Sequence, residues 1–219
     1  MKSMTDENQT WHPVALGVDV PAGVTRAVIL NGTDIVLWRG ADGQIRAWDD
    51  RCPHRGMRLS YGFVRGNSLN CLYHGWEYEG SSRCIRIPAH PDLEVPKTIK
   101  ATAHAVHETG GLVWMNRSGT AASDPPAIAE GVPLISTAID RPIGALRDLF
   151  RATSMHPAVI REDILDGLSL LLAMHPVSER KSMLHALTIG GSDAPADRKR
   201  YALAVRQLRQ QAETMAEAA

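Results

Sequence analysis

The stretch from Cys52 to Trp76, CPHRGMRLSYGFVRGNSLNCLYHGW, constrains this chain more than any other. It carries two mixed pairs of soft donors, Cys52-x-His54 and Cys71-x-x-His74, with sixteen residues between His54 and Cys71. Thiol and imidazole side chains are the soft and borderline metal ligands of proteins. A fold that uses both pairs must close two separate loops on one point. The spacer is long enough for a hairpin that returns Cys71 to the first loop, with Tyr61 and Phe63 as apolar residues and Gly66-Asn67 at its turn.

A structural zinc site usually pairs like with like, two cysteines close together followed by two histidines. Here each pair is mixed, and one residue separates the first two donors. Mixed pairs suit two metal atoms. Each loop then gives a thiolate to one iron and an imidazole to the other, the division in which two histidines replace two cysteines on one iron of a [2Fe–2S] cluster. Zinc stands as the alternative reading. Gly56 and Gly75 follow the two histidines, where a glycine tolerates tight backbone and lets main-chain N–H groups approach sulfur. Pro53 stiffens the first loop.

The remainder of the chain reads in two halves. Val24–Leu30 is an apolar, β-branched run, Asn31-Gly32 a hairpin signal, and Ile35–Trp38 the return strand. Ala41-Asp42-Gly43 turns the chain into a strand at Gln44–Trp48. Ile85–Pro88, Lys97–Val106 and Leu112–Met115 are further strands, the last two separated by Gly110-Gly111. Residues 118–133, SGTAASDPPAIAEGVP, read as a linker. Beyond it the spacing predicts helices: a short one over Ile143–Ala152, a longer one over Pro157–Met174 with Ile160, Ile164, Leu168 and Leu171 on one face, and one from Ser178 to Gly190-Gly191. A last helix begins near Pro195, with Tyr201, Val205, Leu208, Ala212 and Met215 as its apolar stripe, which most simply packs on the protein itself. The expected fold is a mainly β N-terminal antiparallel sandwich with a cluster-binding tip, followed by a small α-helical C-terminal region. The expected boundaries are 1–117, a linker at 118–133, and 134–219.

At 219 residues the chain holds one large domain, or one domain with an appendage. Lys+Arg and Asp+Glu both number 24, so no global charge points to nucleic acid or an anionic membrane. Three cysteines, two of them in the donor pairs, argue against a disulfide framework and suit a reducing cytoplasm. The N-terminus is polar, and the apolar run Leu168–Met174 is too short to span a bilayer, so neither export nor membrane anchoring is expected.

From Trp11 to Arg117 the sequence resembles the Rieske domain of the ring-hydroxylating oxygenases and Rieske-type ferredoxins. The resemblance rests on Cys52-Pro53-His54-Arg55-Gly56 and Cys71-Leu72-Tyr73-His74-Gly75-Trp76, with WHPVA at Trp11, IPAHP at Ile87 and GLVW at Gly111. Respiratory Rieske proteins carry an extra, disulfide-linked cysteine in each loop. Met57 and Tyr73 stand in those places here, which puts the match in the oxygenase and ferredoxin branch. The resemblance implies a [2Fe–2S] cluster held by Cys52, His54, Cys71 and His74, with each imidazole bound through Nδ1 and its other edge near the surface. Trp76 stands where respiratory proteins place a potential-raising serine, so the expected potential is about −150 to 0 mV, the lower part of the Rieske range. His90, in the IPAHP loop, is expected near the cluster. Arg51, Arg55, Arg58 and Arg65 form a candidate basic rim for an acidic partner. Cys84 reads as a small buried side chain, and His104 and His107 carry no specific expectation.

The family's mononuclear iron motif, D-x-x-H-x(4–5)-H, does not occur. His156 and His175 would lie at opposite ends of one helix, and with Glu162, Asp163, Asp166 and His185 they offer only an unusual route to a second iron. The tail is also short for the family's large sheet-based catalytic domain. The expected role is therefore one-electron transfer, from a flavoprotein or ferredoxin reductase to a separate oxygenase component. The alternatives are an atypical oxygenase with its own iron, or a redox-sensing or assembly module. The C-terminal region is expected to mediate homo- or hetero-oligomer assembly, and its deletion to leave the cluster's EPR signal intact.

Overall fold

The computed structural model describes residues 10–118, 123–150, 154–156, 159–164, 168–190 and 194–214. Its first unit is an antiparallel six-stranded sheet. The strands are β1 (His12–Leu16), β2 (Thr25–Leu30), β3 (Thr33–Arg39), β4 (Ile45–Asp49), β9 (Ala103–Thr109) and β10 (Leu112–Asn116), in the order β1-β10-β9-β4-β3-β2. Between β4 and β9 lies a small four-stranded sheet of β5 (Phe63–Arg65), β6 (Ser68–Asn70), β7 (Glu77–Glu79) and β8 (Cys84–Arg86). The expected meander is present. Asn31 and Gly32 turn it with φ of 49° and 74°, the left-handed backbone a two-residue hairpin requires. The strand expected over Lys97–Val106 starts later, at Ala103, because residues 97–102 run irregularly beneath the small sheet.

After the linker the structure departs from expectation. Among the described residues, the segments expected to be helical between Pro157 and Met174 and between Ser178 and Gly190 instead form strands. These are β12 (Ser154–His156), β13 (Val159–Ile164), β14 (Leu168–Ser178) and β15 (Lys181–Ile189), which join β11 (Val132–Ile139) in a second antiparallel sheet. The physical reason lies in β14, which is covered on both faces. Leu170, Leu172 and Met174 face one core, Leu171 and Ala173 the other. A strand buried on both sides loses its alternation and becomes a continuous apolar run, which periodicity cannot tell from a helix. Among the described residues there, only α1 (Ile143–Leu149) and α2 (Pro195–Thr214) are helical, near where the sequence placed the first and last helices.

The result is three layers. The six-stranded sheet packs on one face of the second sheet through Trp11, Leu16, Leu112, Trp114, Leu171, Ala173 and Leu187, and α1 and α2 cover the other face. Tyr201, Val205 and Ala212 of the α2 stripe are buried there, with Leu208 packed beside them, while Met215 lies outside the described residues. The C-terminal region is thus a cover for Trp114 and its neighbours, not a freely projecting helical tail. Backbone bonds close the seam at the hairpin, where Asn31 N–H donates to Pro176 O at 3.0 Å and Gly32 N–H to Val177 O at 2.8 Å. Trp11 Nε1–H donates to Ser123 O at 2.8 Å and straps the linker to the first unit. No helix among the described residues is long and apolar enough to cross a membrane.

Candidate metal centre

The two donor loops are built alike. In the first, Cys52 N–H donates to Met57 O at 2.8 Å and Gly56 N–H to Cys52 O at 2.8 Å. In the second, Cys71 N–H donates to Trp76 O at 2.9 Å and Gly75 N–H to Cys71 O at 2.9 Å. Each glycine stands four residues after its cysteine and turns the chain with φ of 73° or 68°, where a side chain would be strained. The glycine amides are therefore used to close the loops and do not reach sulfur. The amides that act on the Cys71 thiol are those of Tyr73 and His74, which favour its charged form.

The four donors sort into an inner and an outer pair. Cys52 and Cys71 are buried side by side at 2% exposure each, within the core beneath the small sheet. His54 and His74 lie outward with ring centroids 4.6 Å apart. Trp76 stacks on His54 at 4.3 Å and Tyr73 leans on His74 at 3.8 Å, which fixes both imidazoles from behind. Neither imidazole makes a hydrogen bond to protein among the described residues. Burial pushes the Cys71 thiol up, against the pull of the two amides and helped by the adjacent Cys52. Desolvation, then the charges of His74 and Arg55, push His54 down, which favours the neutral imidazole that ligates metal.

Sequence reasoning missed Tyr78. Its hydroxyl lies 3.1 Å from Cys52 Sγ, and the ring is fully buried. Burial, then the Cys52 contact, push the phenol far above its ordinary range, so it keeps its proton and donates to a deprotonated sulfur. The alternation Glu77-Tyr78-Glu79 on β7 was the available signal, since it turns the middle residue inward. Trp48 packs against Tyr78, and Trp38 against Trp48 at 4.9 Å, so an aromatic wall backs the sulfurs. The first loop is anchored by Asp50, whose buried carboxylate accepts Ser60 N–H at 2.7 Å and Ser60 Oγ–H at 2.6 Å.

The other candidates separate. Arg58 is tied to Asp34 at 2.8 Å, and Arg65 lies over Phe63, so neither stands free at the rim. Pro88 of the IPAHP loop approaches Gly75, while His90 is exposed. Cys84 is buried. His104 is engaged after all, with Nε2 2.7 Å from Asp49 Oδ1. His156 falls on β12, Glu162 and Asp163 on β13, and Asp166 outside the described residues, so no helix carries them. His175 and His185 do meet, Nε2 of His185 lying 3.2 Å from Nδ1 of His175. Each ring is also hydrogen-bonded to another group, however. His175 Nδ1–H donates to Pro13 O at 2.8 Å, and His185 Nδ1 bonds Ser136 Oγ at 2.8 Å. Among the described residues no three His, Cys, Asp or Glu side chains are grouped to hold one ion.

A scan against protein families matches residues 10–98 to the Rieske [2Fe-2S] domain. That segment, about two fifths of the chain, is similar to a domain that carries electrons on a [2Fe–2S] cluster. Among curated proteins, the chain is 34% identical to oxidoreductase NdmD of Pseudomonas putida over 76% of its own length and 26% of that protein's. It is 35% identical to the chloroplastic protein TIC 55 of Arabidopsis thaliana over 50% of its length and 21% of that protein's. The chain thus spans about a quarter of the length of these relatives. Its fold matches a crystal structure of apo dicamba monooxygenase with a TM-score of 0.76 at 18% identity, over 97% of this chain and 86% of that one.

Proposed function

We propose that this chain is a one-electron carrier of a Rieske oxygenase system, in which Cys52 and Cys71 hold one iron of the cluster and His54 and His74 the other. The observation that carries this reading is the sorting of four donors into a buried thiol pair and an outward imidazole pair on two loops of the same backbone design. When bound, the cluster takes up and passes on one electron at a time. The protein's own residues do the remainder. Trp76 and Tyr73 hold the imidazoles in place, Tyr78 donates a hydrogen bond to Cys52, and the core beneath excludes water from the sulfurs.

In this reading a flavoprotein or ferredoxin reductase supplies the electron and an oxygenase component receives it, in the cytoplasm. The C-terminal unit adds an outer surface for assembly, on which Leu203 of α2 is half exposed. Anaerobically purified protein is expected to hold two irons per chain and to give a Rieske EPR signal, and Cys71→Ser is expected to lose both. Three irons per chain would favour a self-sufficient oxygenase instead. Zinc, or an iron content untouched by Cys71→Ser, would overturn the proposal.

A further inference from the structure

Beside His54 the first loop borders a cleft of about 490 Å³ whose walls include Arg51, Arg55, Lys100, Thr102 and Asp49. The side chains of Arg51, Arg55 and Lys100 are exposed and make no ion pair or hydrogen bond among the described residues. The carboxylates nearby are already engaged: Asp49 by His104 at 2.7 Å, Asp34 by Arg58 at 2.8 Å, and Asp50 by Ser60. Three cations therefore face the cleft with no partner of their own. Lys100 is far from the loop in sequence and is brought there by its bridge to Arg83. The His74 side of the tip differs, because Leu72 and Tyr73 stand exposed there, both apolar.

We propose that the His54 side of the tip docks an acidic segment of an electron-transfer partner, with Arg51, Arg55 and Lys100 receiving its carboxylates. The inference rests on the cluster reading above for its electron-transfer role, but not for the docking itself. Three unpaired cations against one carboxylate, Asp49, leave the cleft net positive, which focuses the field and concentrates an anionic partner at the imidazole edge. Because the chain's formal net charge is zero, attraction is local to this face and not a property of the whole surface.

The test uses the whole 219-residue chain and two readouts. Binding of a fluorescein-labelled hexaglutamate peptide, followed by anisotropy, is expected at low ionic strength and to weaken as salt is added. Arg51→Glu/Lys100→Glu is expected to weaken it roughly tenfold or more. Arg65→Glu reverses one charge, half the change in the double variant, at a site engaged with Phe63 and is expected to leave binding unchanged. In stopped flow, ferricyanide oxidation of the reduced protein is expected to slow with salt and in the double variant, while the EPR signal persists. Should Arg65→Glu weaken the peptide as much as the double variant, or a short DNA oligonucleotide bind as well as the peptide, the proposal is overturned. Loss of the EPR signal from the unmodified protein would overturn the cluster reading alone, since peptide binding reads the cleft without the cluster.

Discussion

The molecule holds two close pairs of imidazoles, and they are opposites. At the tip, the rings of His54 and His74 lie 4.6 Å apart, partly exposed, with no protein hydrogen bond among the described residues. In the seam between the two large sheets, the rings of His175 and His185 lie 5.2 Å apart, fully buried. There one tautomer set satisfies a directed chain. His175 Nδ1–H serves Pro13 O and His185 Nε2, His185 Nδ1–H serves Ser136 Oγ, and Ser136 donates to Asp19 at 3.2 Å. Proximity of two histidines therefore says little about metal binding. What sets the tip pair apart is that neither ring is hydrogen-bonded to protein among the described residues, while both seam rings are.

The sharpest break between the pairs should come from the seam's packing. Leu187→Ala removes a fully buried side chain between the two sheets and is expected to cost about 2–5 kcal/mol. Chemical denaturation would measure that loss while the EPR signal of the folded protein stays unchanged. Loss of cluster from the folded variant would show that tip and seam are not independent. For the same reason, removing residues 134–219 is expected to expose Trp114 and Leu112 and to destabilise the first unit.

The next effect is acid sensitivity. Burial pushes His175 down to about 4 from an ordinary value of 6.5, and pushes His185 well below that ordinary value. The unfolded chain takes a proton on His175 near pH 6.5 and the folded chain only near pH 4. Stability from this group is full above pH 6.5 and is lost as pH falls through that window, by about 3 kcal/mol for His175. Denaturation midpoints measured across that range should fall, and His175→Gln should flatten the slope. An unchanged slope in that variant would place the acid sensitivity elsewhere.

The smallest effect belongs to the tip. Tyr78→Phe removes one hydrogen bond to Cys52, worth about 1 kcal/mol, which for a one-electron couple is roughly 40 mV. The bond favours the more negative, reduced state, so the midpoint potential is expected to fall by that amount in protein-film voltammetry. A rise would mean that Tyr78 does not donate to the sulfur.

The site was more legible than the fold. The donor spacing, the two glycines and the absence of second loop cysteines are local features, and local backbone rules act on them wherever the loops end up. The sequence alone therefore determined the backbone design of the two donor loops, the hairpin at Asn31-Gly32 and the helix from Pro195. Three things were decided only by tertiary structure. Leu168–Ser178 became a strand because two layers cover it, and no residue within the segment records that second cover. Tyr78 reached Cys52, and Lys100 reached the cleft beside His54, through contacts that close only when distant strands pair. The meeting of His175 and His185, which engages both in hydrogen bonds inside the seam, also depends on the paired strands, because buried polar groups must find partners where they stand.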